Sequence, residues 1–310
     1  MKKVLVMGGA GFLGTNLCKS LLLNGFEVYC LDNLSTGSAT NLRSLAKEPN
    51  FTFIDHDVRD SFFFPCDWII NLASPASPYR YQLNPVGTLV TNFQGTLNGL
   101  ELARENGARF LQASTSEVYG DPTVHPQIES YWGNVNPVGD RSCYDEGKRA
   151  AETLCSDYRK QYGVKSTIIR IFNTYGPNMA RDDGRVVSNF IVQALEGKDI
   201  TIYGDGIQSR SLCFVEDLIQ AFLKIINNDN EIKGPMNLGN PEEITMNELA
   251  SKILMLTGSS AKLIYSDLPV DDPKRRKPDI TLAKKTLDWE PKTDLNVGLK
   301  KTIEYFRDLS

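Results

Sequence analysis

Short, wholly apolar runs alternate with longer stretches of helical spacing through the first half of the chain. Residues 4–7, Val-Leu-Val-Met, make one such run and lead into Gly8-Gly9-Ala10-Gly11-Phe12-Leu13-Gly14. An apolar run bounded by glycines predicts a buried strand, and the spacing over 15–23 predicts a helix that Asn24-Gly25 ends. The rhythm then repeats. Residues 27–31 predict a second strand finishing at Asp32, 51–54 and 68–72 predict further strands, 88–106 a long helix and 109–114 another strand. A loop rich in Pro, Gly and Asn over 121–139 feeds a helix opening near Ser142, with Ala150, Ala151, Leu154 and Tyr158 on its apolar face and Tyr162-Gly163 at its close. A β-rich run follows at 166–172. Strand and helix in alternation predict an α/β fold, a Rossmann-like doubly wound parallel sheet.

Beyond about residue 178 the alternation fades. Helical spacing recurs at 186–195, 216–226, 247–256 and 297–306, and a short strand at 200–203 is turned by Gly204-Asp205-Gly206. The expected division is therefore a nucleotide-binding domain over 1–177 and a smaller, discontinuous C-terminal substrate lobe over 178–310, with some segments returning to the first domain. No internal repeat or low-complexity tract interrupts either part.

Composition narrows the function classes. A chain of 310 residues buries a large core, and its net charge of −4 offers no general basic field for nucleic acid. Six cysteines are scattered without a C-x-x-C pair and only His56 and His125 accompany them, so neither a disulfide framework nor a metal site is expected. No apolar run reaches membrane-spanning length, and the start of the chain runs straight into glycines, so the expected location is cytoplasmic, with no membrane partner.

Several groups of residues carry candidate chemistry. The glycines at 8, 11 and 14 sit between a strand and a helix, where they allow a tight turn and close approach of backbone to a pyrophosphate. Asp32 lies about 20 residues further on, at the end of the second strand, where an acid bonds the adenosine ribose of NAD and repels a 2′-phosphate. Asp57-Val58 and Leu72-Ala73-Ser74 stand at strand ends, as cofactor contacts or as plain turns. Tyr144 and Lys148 share a helix face, four residues apart, and a lysine there favours the ionised phenol and makes a base suited to a sugar hydroxyl. Thr115-Ser116-Glu117 end a strand, where two hydroxyls and a carboxylate can bond a substrate and move protons, or cap a helix. The run 271–278 reads by default as a solvated charged turn, although guanidiniums in this half could clamp diphosphate or carboxylate groups.

Taken together, the glycine motif, Asp32 and the Tyr144/Lys148 pair resemble the extended short-chain dehydrogenase/reductase family. The likeness narrows through Asn71 to Pro78, Ala113 to Gly120, Asp140 to Arg149, Arg170 to Pro177 and Asp183 to Phe190, which are similar to the UDP-glucuronate decarboxylase group of that family. It covers essentially the whole chain. The departures are Ser209 before Arg210, where threonine is common, and Cys213, where aromatics often stand. The resemblance implies a homodimer that turns UDP-glucuronate into UDP-xylose through a 4-keto intermediate, with NAD recycled in the site. It implies Thr115, Ser116, Glu117, Tyr144, Lys148 and Arg276 as catalytic residues. Its cofactor contacts are Gly8, Gly11, Phe12, Leu13, Gly14, Asp32, Asn33, Thr36, Gly37, Asp57, Val58, Leu72, Ala73, Ser74, Thr91, Ala113, Tyr144, Lys148, Thr174 and Arg185. Pro75, Arg141, Asn173, Val187, Tyr203, Arg210 and Arg276 are implied on the substrate side. The rival activities are a UDP-sugar 4-epimerase, a 4,6-dehydratase, and a non-catalytic NAD sensor. A dehydratase typically places an acidic pair after the threonine, an epimerase commonly lacks the glutamate, and a sensor often loses the tyrosine or lysine.

Overall fold

The structure, a computed structural model, describes residues 1–267 and 275–309. In chain order the first half comprises β1 (Lys3–Met7), α1 (Phe12–Leu23), β2 (Glu27–Asp32), α2 (Ala39–Leu42), β3 (Phe51–Asp55), β4 (Trp68–Asn71), α3 (Pro78–Leu83), α4 (Pro85–Asn106), β5 (Arg109–Thr115), α5 (Ser142–Tyr162) and β6 (Ser166–Ile171). The second half adds β7 (Thr174–Tyr175), α6 (Val186–Leu195), β8 (Ile200–Tyr203), β9 (Ser209–Ser211), β10 (Cys213–Phe214), α7 (Val215–Ile226) and β11 (Pro235–Leu238). It ends with β12 (Glu243–Thr245), α8 (Met246–Thr257), β13 (Leu263–Ser266), β14 (Arg275–Arg276), α9 (Thr281–Leu287) and α10 (Leu295–Asp308).

Among the described residues the main sheet has the strand order β11-β6-β5-β4-β1-β2-β3, and every pairing in it is parallel. This is the doubly wound sheet expected. The chain winds one way from β1 to β3 and the other way from β4 to β6, so a crevice opens at the carboxyl ends of β1 and β4, where such sheets bind ligands. Successive residues of β1 face opposite layers, as the period of a strand requires. Val4 and Val6 join the core formed with Leu17, Leu21, Leu218 and Phe222 of α1 and α7. Leu5 and Met7 pack instead with Leu100 and Ala103 of α4 and Cys155 and Tyr158 of α5.

The long elements and the short strand β8 fall where the apolar pattern placed them; the strands of two or three residues have no pattern to read. β11 begins with a proline after Gly234, which reads as a turn, yet it forms the sheet edge beside β6. Proline is tolerated at the first residue of such a strand because little of the hydrogen-bond ladder is lost there. In the expected charged turn, residues 271–274 lie outside the described residues. The remainder corrects the reading of a solvated turn: β14 pairs in parallel with β9, setting Arg276 beside Arg210, and the Arg276 side chain is buried.

Candidate active site

A cleft of about 870 Å³ lies over the carboxyl ends of the sheet and extends to the residues of the C-terminal half. Its first wall is the turn between β1 and α1. Gly8 adopts φ +78, and a Cβ there would stand 2.7 Å from the Ala73 backbone nitrogen. At Gly14 a Cβ would come within 2.2 Å of the Gly8 carbonyl oxygen, so the turn closes onto the helix only because both side chains are absent. The N-cap of α1, Gly11, supplies no side-chain hydrogen bond, and the first turn of the helix carries no acid. The amides there remain available to an anion.

Asp32 ends β2, as expected, but its carboxylate is engaged: the amides of Ala10 and Leu34 donate to it at 2.9 and 2.8 Å. Burial raises its pKa, and these two donors oppose the rise. Gly37 packs against Asp32 and Ala10. Asn33 donates to Asp57 at 2.8 Å, and the Arg59 guanidinium holds the Asp57 carboxyl well below the usual carboxylate range. Val58 packs beside Gly95 of α4.

Lys148 and Tyr144 project from α5 into the cleft. The Lys148 ammonium donates to the Ala113 carbonyl at 2.9 Å, and burial brings its pKa down to about 8. Tyr144 is buried as well, and burial pushes its phenol up to about 12, against the opposing hydrogen bond with Thr115. The expected lowering by Lys148 is therefore corrected. The ammonium stands 5.7 Å from the phenol ring centre, bound to a carbonyl, and desolvation of the phenolate outweighs it.

Thr115, Ser116 and Glu117 follow β5 into a single turn of 3₁₀ helix, Ser116–Tyr119. Thr115 Oγ1 accepts from the Glu117 amide at 3.3 Å while also facing Tyr144, so the capping and chemical readings of this residue coexist. The Glu117 carboxylate receives Arg141 Nη2 at 2.6 Å and both terminal nitrogens of Arg276. Two guanidiniums on one carboxylate leave net positive charge beside it. The Arg276 Nε is buried with no hydrogen-bond partner among the described residues.

Of the residues singled out from sequence, Gly8, Gly11, Phe12, Leu13, Gly14, Thr36, Leu72, Ser74, Ala113, Asn173, Thr174, Arg185, Val187, Tyr203 and Arg210 line the same cleft as the six catalytic candidates and Arg141. Asp32, Asn33, Gly37, Asp57, Val58, Ala73, Pro75 and Thr91 are not on its wall. Thr91 spends its hydroxyl on the Gly87 carbonyl inside α4, and Pro75 accepts from Ser74 Oγ. Sequence reasoning passed over Tyr81 and Ser77. The Tyr81 ring stacks on Tyr144 at 5.2 Å and 8°, and the hydroxyls of Tyr81 and Ser77 are buried without partners among the described residues. Tyr81 is one of twelve tyrosines and no spacing marks it; Ser77 before Pro78 reads as an ordinary helix start.

Residues 4–239 match the model of the NAD dependent epimerase/dehydratase family. The chain belongs to that family. Within it the chain is 51% identical over 306 residues to UDP-glucuronic acid decarboxylase 1 of Xenopus tropicalis, covering 99% of this chain and 72% of that protein. It is 52% identical to UDP-glucuronic acid decarboxylase 6 of Arabidopsis thaliana, over 98% of this chain and 89% of that one. These identities place it in the UDP-glucuronic acid decarboxylase branch of the family. Among solved structures it is similar to UDP-glucuronic acid 4-epimerase from Bacillus cereus, in complex with UDP-glucuronic acid and NAD. That likeness has a TM-score of 0.90, 27% identity and coverage of 99% and 100% of the two chains. The side-chain-free turn, the uncapped N-terminus of α1 and the buried acid at the end of β2 fit the dinucleotide this family uses.

Proposed function

We propose that the protein decarboxylates UDP-glucuronate to UDP-xylose. The observation that carries this reading is the convergence of Arg141 and Arg276 on Glu117, beside Thr115 and Tyr144 in one cleft. The same five side chains supply what the reaction needs: a proton carrier at carbon 4, a donor for oxygen there, and cationic groups next to a carboxyl. NAD, when bound, supplies a hydride acceptor and donor at carbon 4, so the reaction shows no net redox change. It would be held by the glycine turn and the first amides of α1, with Asp32 ordering the loop that follows β2 and Lys148 offering its remaining N–H groups.

In its ionised form Tyr144 takes the proton of the 4-hydroxyl and later returns it, and Thr115 donates to the same oxygen as negative charge gathers there. A carbonyl at carbon 4 lies β to the carboxylate, so carbon dioxide leaves while the bonding electrons stay on the sugar, spread from carbon 5 onto that oxygen. Arg276 and Arg141 keep Glu117 from repelling the substrate carboxylate, and the return of a proton to carbon 5 falls to Ser116 and Glu117 in this reading. Arg210, buried on β9, serves the diphosphate. The lobes divide near residue 177, the dinucleotide lying mainly on the first and the sugar nucleotide meeting the second.

The protein acts as a homodimer in this reading. Val86, Leu89, Val90 and Phe93 form an exposed apolar stripe on one face of α4, and an uncovered stripe of that kind marks a protein contact. Free thiols at all six cysteines favour a reducing, cytoplasmic setting. Among the described residues no helix is long and apolar enough to cross a membrane.

Product analysis by NMR tests the proposal. Purified protein given UDP-glucuronate is expected to release carbon dioxide and UDP-xylose without consuming added NAD. UDP-galacturonate as the sole product would make the protein a 4-epimerase instead.

A further inference from the structure

Arg276 reaches Glu117 across 159 positions of sequence, from a two-residue strand that belongs to no part of the main sheet. Something has to hold the segment that carries it. Immediately after Arg276 the chain runs beside Gln127, a residue 1% exposed. The Gln127 amide donates to the Lys277 carbonyl at 2.8 Å, its side-chain oxygen accepts from the Lys277 amide at 2.9 Å, and its carbonyl accepts from the Asp279 amide at 2.8 Å. One side chain and its backbone thus grip both flanks of Pro278. Asn237, fully buried on β11, locks this grip to the sheet edge: its Nδ2 donates to the carbonyls of Gln127 and Asp279 at 3.0 and 3.2 Å. Its Oδ1 accepts from the Tyr119 hydroxyl at 2.8 Å. Tyr119 closes the 3₁₀ turn that begins with Ser116 and Glu117.

The two partners of the Glu117–Arg276 pair are therefore referenced to one buried amide. We propose that Gln127 and Asn237 are positioning residues that set the Arg276 guanidinium against Glu117, and that without them decarboxylation slows while substrate binding persists. The kinetic part of this rests on the decarboxylase reading given above; the geometric part does not. Both amides are neutral and neither lines the cleft, so they act through Arg276 and not on the substrate.

Gln127→Met keeps the volume and removes the acceptor for the Lys277 amide. At a temperature where the variant is fully folded, kcat for carbon dioxide release is expected to fall about 100-fold with KM nearly unchanged, the size of loss that a misplacement of about 1 Å produces. Gln127→Glu, protonated in this buried site, retains an oxygen for the Lys277 amide and an O–H for the Val124 carbonyl that Gln127 Nε2 meets at 2.8 Å, and is expected to keep most of the wild-type kcat. A Gln127→Met enzyme with near-wild-type kcat, or equal losses in both variants, would overturn the proposal. Should Gln127→Met fail to fold, Asn237→Asp replaces the donor to Gln127 and Asp279 with an acceptor and is expected to show the same loss in kcat; wild-type kcat there overturns the role. If the wild-type protein releases no carbon dioxide from UDP-glucuronate, the functional reading fails and a crystal structure of the folded variant, Gln127→Met or Asn237→Asp, decides the positioning role. Arg276 displaced from Glu117 supports that role, and an unmoved pair refutes it.

Discussion

Lys148 holds its charge where the surroundings work against it. Folding lowers its pKa from the ordinary 10.5 to about 8, so between those values the unfolded chain binds a proton that the folded chain has released. Stability therefore rises with pH through that window, and below about pH 8 the full cost of the buried ammonium is present. Lys148→Met is expected to melt at least about 3 °C higher than wild type at pH 7. The Ala113 carbonyl keeps its second donor, the Gln112 side-chain amide at 3.1 Å, so no acceptor is orphaned. In thermal melts from pH 7 to 10 the gap should shrink; a gap that widens would reverse the assignment. Tyr144 shifts the other way, its phenol pushed up by burial. Tyr144→Phe is expected to lower turnover by about 10²–10⁴-fold, the worth of a positioned proton carrier, while NAD binding measured by fluorescence titration stays near wild type. The pairing of these two residues was legible in their four-residue spacing. The direction of the phenol's shift was not, because it depends on burial by Tyr81 and the neighbouring elements, which spacing does not encode.

At the level of elements, the turn from β1 into α1 has the least tolerance. A methyl group on Gly14 would meet the Gly8 carbonyl oxygen at 2.2 Å and the Gly9 Cα at 2.6 Å, both backbone atoms that cannot swing aside. Gly14→Ala is thus expected to destabilise by about 1–3 kcal/mol. It should also weaken NAD binding by about tenfold or more by calorimetry, since the amides at the start of α1 move with the turn. Unchanged affinity would mean that α1 does not hold the pyrophosphate. This element was readable because its constraint is local: strand, glycines and helix follow one another within twenty residues. β14 was unreadable for the opposite reason. Its partner strand lies 66 positions away by register, Arg276 with Arg210, and a two-residue strand has no period of its own. A run of cations between prolines gave every reason to expect solvent there.

For the whole molecule, the apolar stripe on α4 separates what the single chain satisfies from what it leaves open. Phe93 is 43% exposed at the carboxyl-terminal end of that stripe, on a helix whose other side is packed against α5 and the sheet. The homodimer proposed through this stripe is expected to give way to monomers in sedimentation velocity of Phe93→Asp, with the melting temperature of the isolated fold little changed. Equal sedimentation of the two proteins would place any self-association elsewhere.

The long span between Glu117 and Arg276 also sets an order in time. The strands of the main sheet hydrogen-bond in full without β14, whereas the ion pair closes a loop of more than a hundred and fifty residues and forms only after both of its ends have found their places. A chain emerging from synthesis has the glycine turn and Tyr144 in hand well before Arg276 exists as part of the site. The glycine turn is thus in place early in synthesis, and the guanidinium proposed to act beside the carboxylate arrives late.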